Sequence, residues 1–219
     1  MAVITIERKV LEKNDAFAAQ NRQRLAEARV FTINVVSSPG AGKTSLLEQT
    51  IERLRGKLRI SVVDGDVQTD LDAQRVARYG APVVQIVTNG GCHLEARLVQ
   101  DALAQLDLAA ADLLVIENVG NLVCPANYDL GEAMKVVLLS TTEGDDKPLK
   151  YPAMFRNASV LVVNKIDLVP YVNCNLDTLV GNALQINPAL RVFQVSCTTG
   201  AGLDDWCAWL SRQVAAVRA

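Results

Sequence analysis

This 219-residue sequence predicts an α/β fold, with a mostly parallel sheet carrying helices on both faces. Two observations carry that expectation. From residue 30 onward, short runs rich in Val and Ile recur without polar–apolar alternation, the pattern of strands buried on both faces. Between the runs lie stretches whose apolar residues return at helical spacing. Strand and helix alternating over this length build a parallel sheet covered on both sides.

Taken in order, residues 8–29 are polar and rich in Arg and Gln, with sparse apolar positions such as Leu11, Phe17 and Leu25. They read as an N-terminal helical extension, residues 1–29, packed on the edge of one domain filling 30–219. Strands are expected at "VFTINVV", "LRISVVD", "APVVQIV", "DLLVIEN", "KVVLLS", "SVLVVNK" and "RVFQVS". A helix is expected at "KTSLLEQTIERLR", where Leu46, Leu47, Ile51 and Leu54 share a stripe. Another is expected at "GLDDWCAWLSRQVAAV", with Leu203, Trp206, Leu210 and Val214 roughly a turn apart. No internal repeat, low-complexity tract or interdomain linker interrupts the series.

Composition narrows the function classes. A formal charge of −2 argues against a nucleic-acid partner held by bulk electrostatics. No apolar run reaches membrane-spanning length, and charges from Glu7 onward interrupt any signal-peptide core. The five cysteines, an odd number, suit reduced thiols rather than a disulfide framework. A cytoplasmic protein without membrane or nucleic-acid partners is expected.

"INVVSSPGAGKTSLLE" sets a glycine loop between a buried strand and a helix. Its tail matches the phosphate loop G-x-x-x-x-G-K-[ST], with Ser37 in place of the first glycine. The loop works if Ser37 takes the required backbone angles, or if the turn closes differently. Residues Gly40, Ala41, Gly42, Lys43, Thr44 and Ser45 are the expected phosphate binders, their backbone N–H groups aided by the helix N-terminus. Lys43 would bridge the β- and γ-phosphates, and Thr44 would hold Mg²⁺ through its hydroxyl. This is the loop of a P-loop NTPase.

"NKIDL" chooses the base. In the N-K-x-D pattern Asp167 can accept from guanine N1–H and the 2-amino group together, whereas adenine would leave a buried carboxylate unpaired. Lys165 can lie along the base, and Asn164 ties the loop together. "SCTTG" follows the next strand and supplies a backbone N–H for guanine O6, with Ser196 and Cys197 at that position. A G domain binding GTP or GDP with Mg²⁺ is expected.

Two further segments belong to this end of the sheet. "VVDGDVQTDLDAQR" presents Asp64, Asp66, Asp70 and Asp72; Asp66 is the chosen Mg²⁺ or water-orienting residue, and the others serve equally well as helix caps or solvated acids. In "DLLVIENVGN", Glu117-x-x-Gly120 stands where GTPases place D-x-x-G, the carboxylate toward Mg²⁺ and the glycine N–H toward the γ-phosphate. Lys43, Asp66 and Glu117 are thus the expected catalytic residues, and Thr44, Asp66 and Glu117 the Mg²⁺ ligands.

"VTNGGCHLEA" holds the only histidine, His93, directly after Cys92. Cys124 lies four residues past Gly120. Both loops end neighbouring strands, so their thiols and imidazole can converge into a set suited to Zn²⁺ or Ni²⁺. Spacing alone leaves this site and a bland alternative, buried thiols with a helix-capping histidine, equally open. Cys174 and Cys207 read as structural.

Taken together, "SSPGAGKTSLLE", "GDVQTDLDA", "CHLEA", "ENVGNLVCPA", "EGDDKPLKYP" and "NKIDL" resemble the nickel-insertion GTPase family of [NiFe]-hydrogenase maturation, the HypB type. The likeness runs unbroken from about residue 10 to the C-terminus. It implies a SIMIBI-like G domain and a low-turnover GTPase that forms a homodimer. It further implies passage of nickel to a hydrogenase large-subunit precursor, with a small nickel metallochaperone as partner. It also implies that Cys92, His93 and Cys124 form the Ni²⁺ or Zn²⁺ site, near the dimer interface. Lys147 and Lys150 would lie near the nucleotide or a partner subunit. No cysteine precedes residue 92 and no second histidine exists, so the N-terminal nickel-binding or storage motifs of some members are lacking. Two rival readings are a urease-type nickel-accessory GTPase and a non-enzymatic metal-binding or storage protein.

Overall fold

The computed structural model describes residues 6–68 and 71–219. Each expected run forms a strand: β1 (Phe31–Ser37), β2 (Ile60–Asp66), β3 (Val83–Val87), β4 (Leu113–Glu117), β5 (Met134–Ser140), β6 (Val160–Asn164) and β7 (Arg191–Gln194). They make one seven-stranded sheet in the order β3-β2-β4-β1-β5-β6-β7. Every pairing among them is parallel, which makes the sheet more uniform than "mostly parallel". β1, β2, β4, β5 and β6 are buried almost end to end, and that explains their lack of alternation.

One face of the sheet carries α2 (Lys43–Leu54), α3 (Leu71–Ala77) and α8 (Leu203–Arg218). The expected stripe residues Leu46, Leu47, Ile51 and Leu54 are buried there with Trp206 and Leu210. Trp206 also donates its indole N–H to Thr50 Oγ1 at 3.0 Å, which locks α8 to α2.

The opposite face carries α1 (Ile6–Glu27), α4 (Ala96–Leu103), the short α5 (Lys147–Lys150) and α6 (Pro152–Asn157), and α7 (Leu176–Ile186). α1 packs along α4, with Leu25 in the shared core. One connection departs from strand–helix alternation. Between β4 and β5 the chain crosses β1 with a single 3-10 turn, Cys124–Asn127, in place of an α-helix. A turn this short makes few backbone bonds of its own, Ala126 N to Val123 O and Tyr128 N to Pro125 O, and side chains meet its carbonyls. Lys135 Nζ donates to the carbonyls of Pro125, Ala126 and Tyr128 at 3.0–3.1 Å. From α1, Asn14 donates to Asp129 O, and Asn21 to Leu130 O. No helix among the described residues is long and apolar enough to cross a membrane.

Candidate nucleotide and metal site

The loop between β1 and α2 begins at Ser37, the residue that replaces the expected glycine. Ser37 is fully buried and needs no positive φ, since it still belongs to the strand. Its Oγ donates to the Ser38 carbonyl at 2.7 Å and accepts from Lys43 Nζ at 3.2 Å. The turn is made instead by Gly40 and Gly42, with φ of 75° and 103°. A Cβ on Gly42 would stand 2.4 Å from Asn164 Nδ2, so both backbone and space demand glycine. No side chain caps α2, which leaves its first N–H groups for an anion.

Asn164, at the end of β6, joins three loops. Its Oδ1 accepts from Lys165 N at 2.8 Å and Cys197 N at 3.3 Å, and its Nδ2 donates to Ala41 O at 3.0 Å. Lys165 is held in the left-handed region, and its Nζ donates to Gly40 O at 2.8 Å. The base-recognition and phosphate loops are therefore one construction. Asp167 Oδ1 is buried without a hydrogen-bond partner, as a carboxylate shaped for two base donors would be. Ser196 is buried and accepts from Thr199 N at 3.0 Å. Burial pushes the Cys197 thiol up to about 11, which keeps it protonated at neutral pH.

Thr44 Oγ1 donates to Glu117 Oε1 at 2.8 Å, while Glu117 Oε2 is buried without a partner. Asp64 stands beside Glu117 in strand register, and its Oδ2 is orphaned too. Burial raises Glu117 to about 8 and Asp64 to about 7, the latter helped by the charges of Asp72 and Asp66. Two orphaned carboxylate oxygens beside a hydroxyl fit a hard divalent cation. Asp66 sits half-buried at the end of β2, where its Oδ1 accepts from Gln68 N at 2.8 Å. Of the four acids in this segment, Asp64 is the one beside Glu117 with an orphaned oxygen, while the chosen Asp66 lies at the strand end. The register of Asp64 with Glu117 is a pairing fact that no spacing reveals. Asp70 lies outside the described residues, and Asp72 pairs with Arg75. Gly120 approaches the phosphate loop so closely that a Cβ there would meet Pro39 Cα at 3.0 Å.

The sulfur and nitrogen ligands converge. The donor atoms of Cys92, His93 and Cys124 all lie within 4.8 Å of one another, the one such three-donor group found among the described residues. The strands that lead to them are not neighbours as expected, because β2 lies between β3 and β4. The loops meet because each is tied down locally. Thr88 Oγ1 donates to Gly91 O at 2.7 Å, closing the turn before Cys92. Asn121 Oδ1 accepts from Val123 N at 2.8 Å and Cys124 N at 3.4 Å, and Pro125 starts the 3-10 turn. The His93 ring stacks at a tilt on Tyr128, with centroids 4.0 Å apart, and its Nε2 is buried without a partner. Burial lowers its pKa, which favours the neutral, ligating imidazole. A hydrogen bond with Cys124, then burial, raises the Cys92 thiol. Cys174 and Cys207 are buried elsewhere. Lys147 and Lys150 face Glu143 and Asp146 of their own segment, at 3.8 and 2.5 Å.

Comparisons with known proteins place the chain among similar proteins. Residues 31–194 match the family model described as CobW/HypB/UreG, nucleotide-binding domain. The chain is 51% identical over 211 residues to the hydrogenase maturation factor HypB of Azotobacter vinelandii, covering 96% of this chain and 70% of that one. It is 40% identical to the hydrogenase/urease maturation factor HypB of Helicobacter pylori, covering 93% and 85%. The crystal structure of HypB from Helicobacter pylori in complex with nickel superposes with a TM-score of 0.88 at 39% identity, covering 92% and 95%.

Proposed function

The chain belongs to the CobW/HypB/UreG family, among its hydrogenase maturation factors of HypB type, and from that premise we propose that it is a GTPase that gates a nickel site. It hydrolyses GTP to GDP and phosphate, and it uses the cycle to pass Ni²⁺ toward a [NiFe]-hydrogenase precursor. One observation carries the reading. A single segment runs from Glu117, bonded to the phosphate-loop Thr44, through Gly120 against Pro39, to Cys124 in the metal group.

In this mechanism the loop from Gly40 to Ser45 wraps the phosphates. Lys43 leaves Ser37 Oγ to meet the β- and γ-oxygens. Asp167 pairs with guanine, and Asn164 and Lys165 hold the base loop against the phosphate loop. Thr44, Glu117 and Asp64 would hold Mg²⁺, which when bound neutralises charge on the triphosphate. Asp66 orients a water for attack on the γ-phosphorus; the bond to the β-bridging oxygen breaks, and phosphate leaves. Gly120 N–H loses its γ-phosphate partner, and the segment that carries Cys124 relaxes.

Ni²⁺ is the cargo, held by two thiolates and a neutral imidazole; Zn²⁺ suits the same ligands. Three protein donors leave room for a further ligand. The exposed apolar Val87 and Val123 near this group suit contact with a second copy of the chain in a homodimer. A small nickel metallochaperone, the hydrogenase large-subunit precursor and a cytoplasmic setting complete the reading.

Phosphate release from GTP and from ATP, measured on the wild type and on Lys43→Ala and Asp167→Ala variants, tests it. GTP-selective turnover that both substitutions abolish is expected. Nickel binding without any GTP turnover would favour a metal-binding or storage protein instead.

A further inference from the structure

Successive residues at a strand end point to opposite faces of a sheet. Glu117 faces α2 and the phosphate loop, whereas Asn118 points under the helix-free crossover. Asn118 is 1% exposed, and both polar atoms of its side chain are engaged. Its Oδ1 accepts from Val119 N at 2.9 Å and from Leu94 N at 3.2 Å. Its Nδ2 donates to Asn34 Oδ1 at 3.2 Å, and Asn34 Nδ2 donates to Glu132 Oε1 at 3.1 Å. Glu132 in turn accepts from Leu130 N at 2.7 Å and stands 4.0 Å from Lys135 Nζ, whose amine holds the turn containing Cys124.

The two ends of this chain of bonds are the two halves of the metal group. At one end, Leu94 follows His93 directly and is wedged so tightly against β2 that a Cβ on Gly65 would meet its side chain at 2.8 Å. At the other, the Lys135 ammonium gathers the carbonyls of the Cys124 turn. In the middle sits a residue whose backbone neighbours are Glu117 and Val119, within the segment that senses the γ-phosphate.

We infer that the Asn118 side chain is a positioning residue through which nucleotide state reaches the Cys92–His93 loop. The inference rests on the nucleotide-gated nickel site proposed above. Chain connectivity alone lets the switch move Cys124. Asn118 adds a second path, because any displacement of residues 117–120 carries the acceptor that holds Leu94 N–H. The Cys124 turn, clamped by Lys135 and Glu132, and the Cys92–His93 loop then shift relative to each other, and the ligand set changes at both ends.

The test is Ni²⁺ affinity of the full chain with GDP and with a non-hydrolysable GTP analogue, for the wild type and for Asn118→Ala. The wild type is expected to differ between nucleotides by at least about fivefold. In Asn118→Ala that ratio is expected to fall below about twofold, with nickel still bound and nucleotide affinity little changed. A variant that keeps the wild-type ratio overturns the role of Asn118 while leaving the gated site standing. A wild-type ratio of one removes the gated site, and this inference with it. Hydrogen exchange at the Leu94 amide of the wild type gives a readout that needs no variant. Its protection is expected to change between the two nucleotide states, and identical protection would overturn the role.

Discussion

The phosphate end and the metal end of this molecule solve the same problem with different materials. At the phosphate end, β1 and α2 are regular elements whose backbone bonds are made within the sheet and the helix, and the loop between them turns on two glycines and is clasped by Asn164 and Lys165. At the metal end, Cys124 rides on a crossover without an α-helix, whose carbonyls are met by a buried ammonium and by asparagines from α1. A site built on regular elements holds its shape whatever is bound. A site held by side chains can exchange one set of partners for another, which is what a gated ligand requires.

The largest expected effects separate the two ends. Lys43→Ala should lower GTP turnover by about 100-fold or more, since in the proposed mechanism it removes the cation that meets the transferring phosphoryl group, while nickel still binds with GDP present. Phosphate release and nickel titration on one preparation check both halves. The reciprocal variant, Cys124→Ala, should cost about 100-fold in nickel affinity, with GTP affinity and turnover within about twofold of wild type. Loss of both activities in either variant would mean that the two ends are not separately built.

A smaller effect sharpens the contrast in materials. Lys135→Met keeps the bulk of the side chain but leaves three carbonyls without their donor and the buried Glu132 without its counter-charge. It should destabilise the fold by about 3 kcal/mol, on the order of 10 °C in Tm, and weaken nickel binding in both nucleotide states. Calorimetry with and without GDP checks it.

The smallest effect concerns pH. Glu117 and Asp64, raised to about 8 and about 7, bind more protons in the folded than in the unfolded chain from about pH 4 upward. Their contribution favours folding at low pH and is lost progressively from about pH 4, the loss being complete once pH has passed through 7 to 8. Without nucleotide or Mg²⁺, Tm should therefore fall between pH 6 and 8, and Mg²⁺ with GDP should flatten that slope. A Glu117→Gln variant should flatten it as well.

How much of this could be read from residues alone follows the same division. The strands were legible because parallel strands buried on both faces leave unbroken runs of Val, Ile and Leu. The phosphate and base loops were legible because each needs particular residue types at fixed spacing. Ser37 could not be settled in that way: its sufficiency depends on where β1 ends and on the hydrogen bond to Lys43. Nor could the crossover, since Glu132 and Lys135 look like any charged pair in "LGEAMKVV", and only the fold shows that both are buried. Asp64 gains its place beside Glu117 from strand register. The metal ligands were suggested by residue type and implied by resemblance, but their approach to within 4.8 Å across an intervening strand is a property of the loops.

The central claim is that spending GTP alters the environment of a captured ion. Nickel K-edge X-ray absorption on the wild-type protein, recorded once with GDP and once with a non-hydrolysable GTP analogue, examines that ion directly. The account predicts spectra that differ in sulfur coordination or geometry between the two states; superimposable spectra would contradict it.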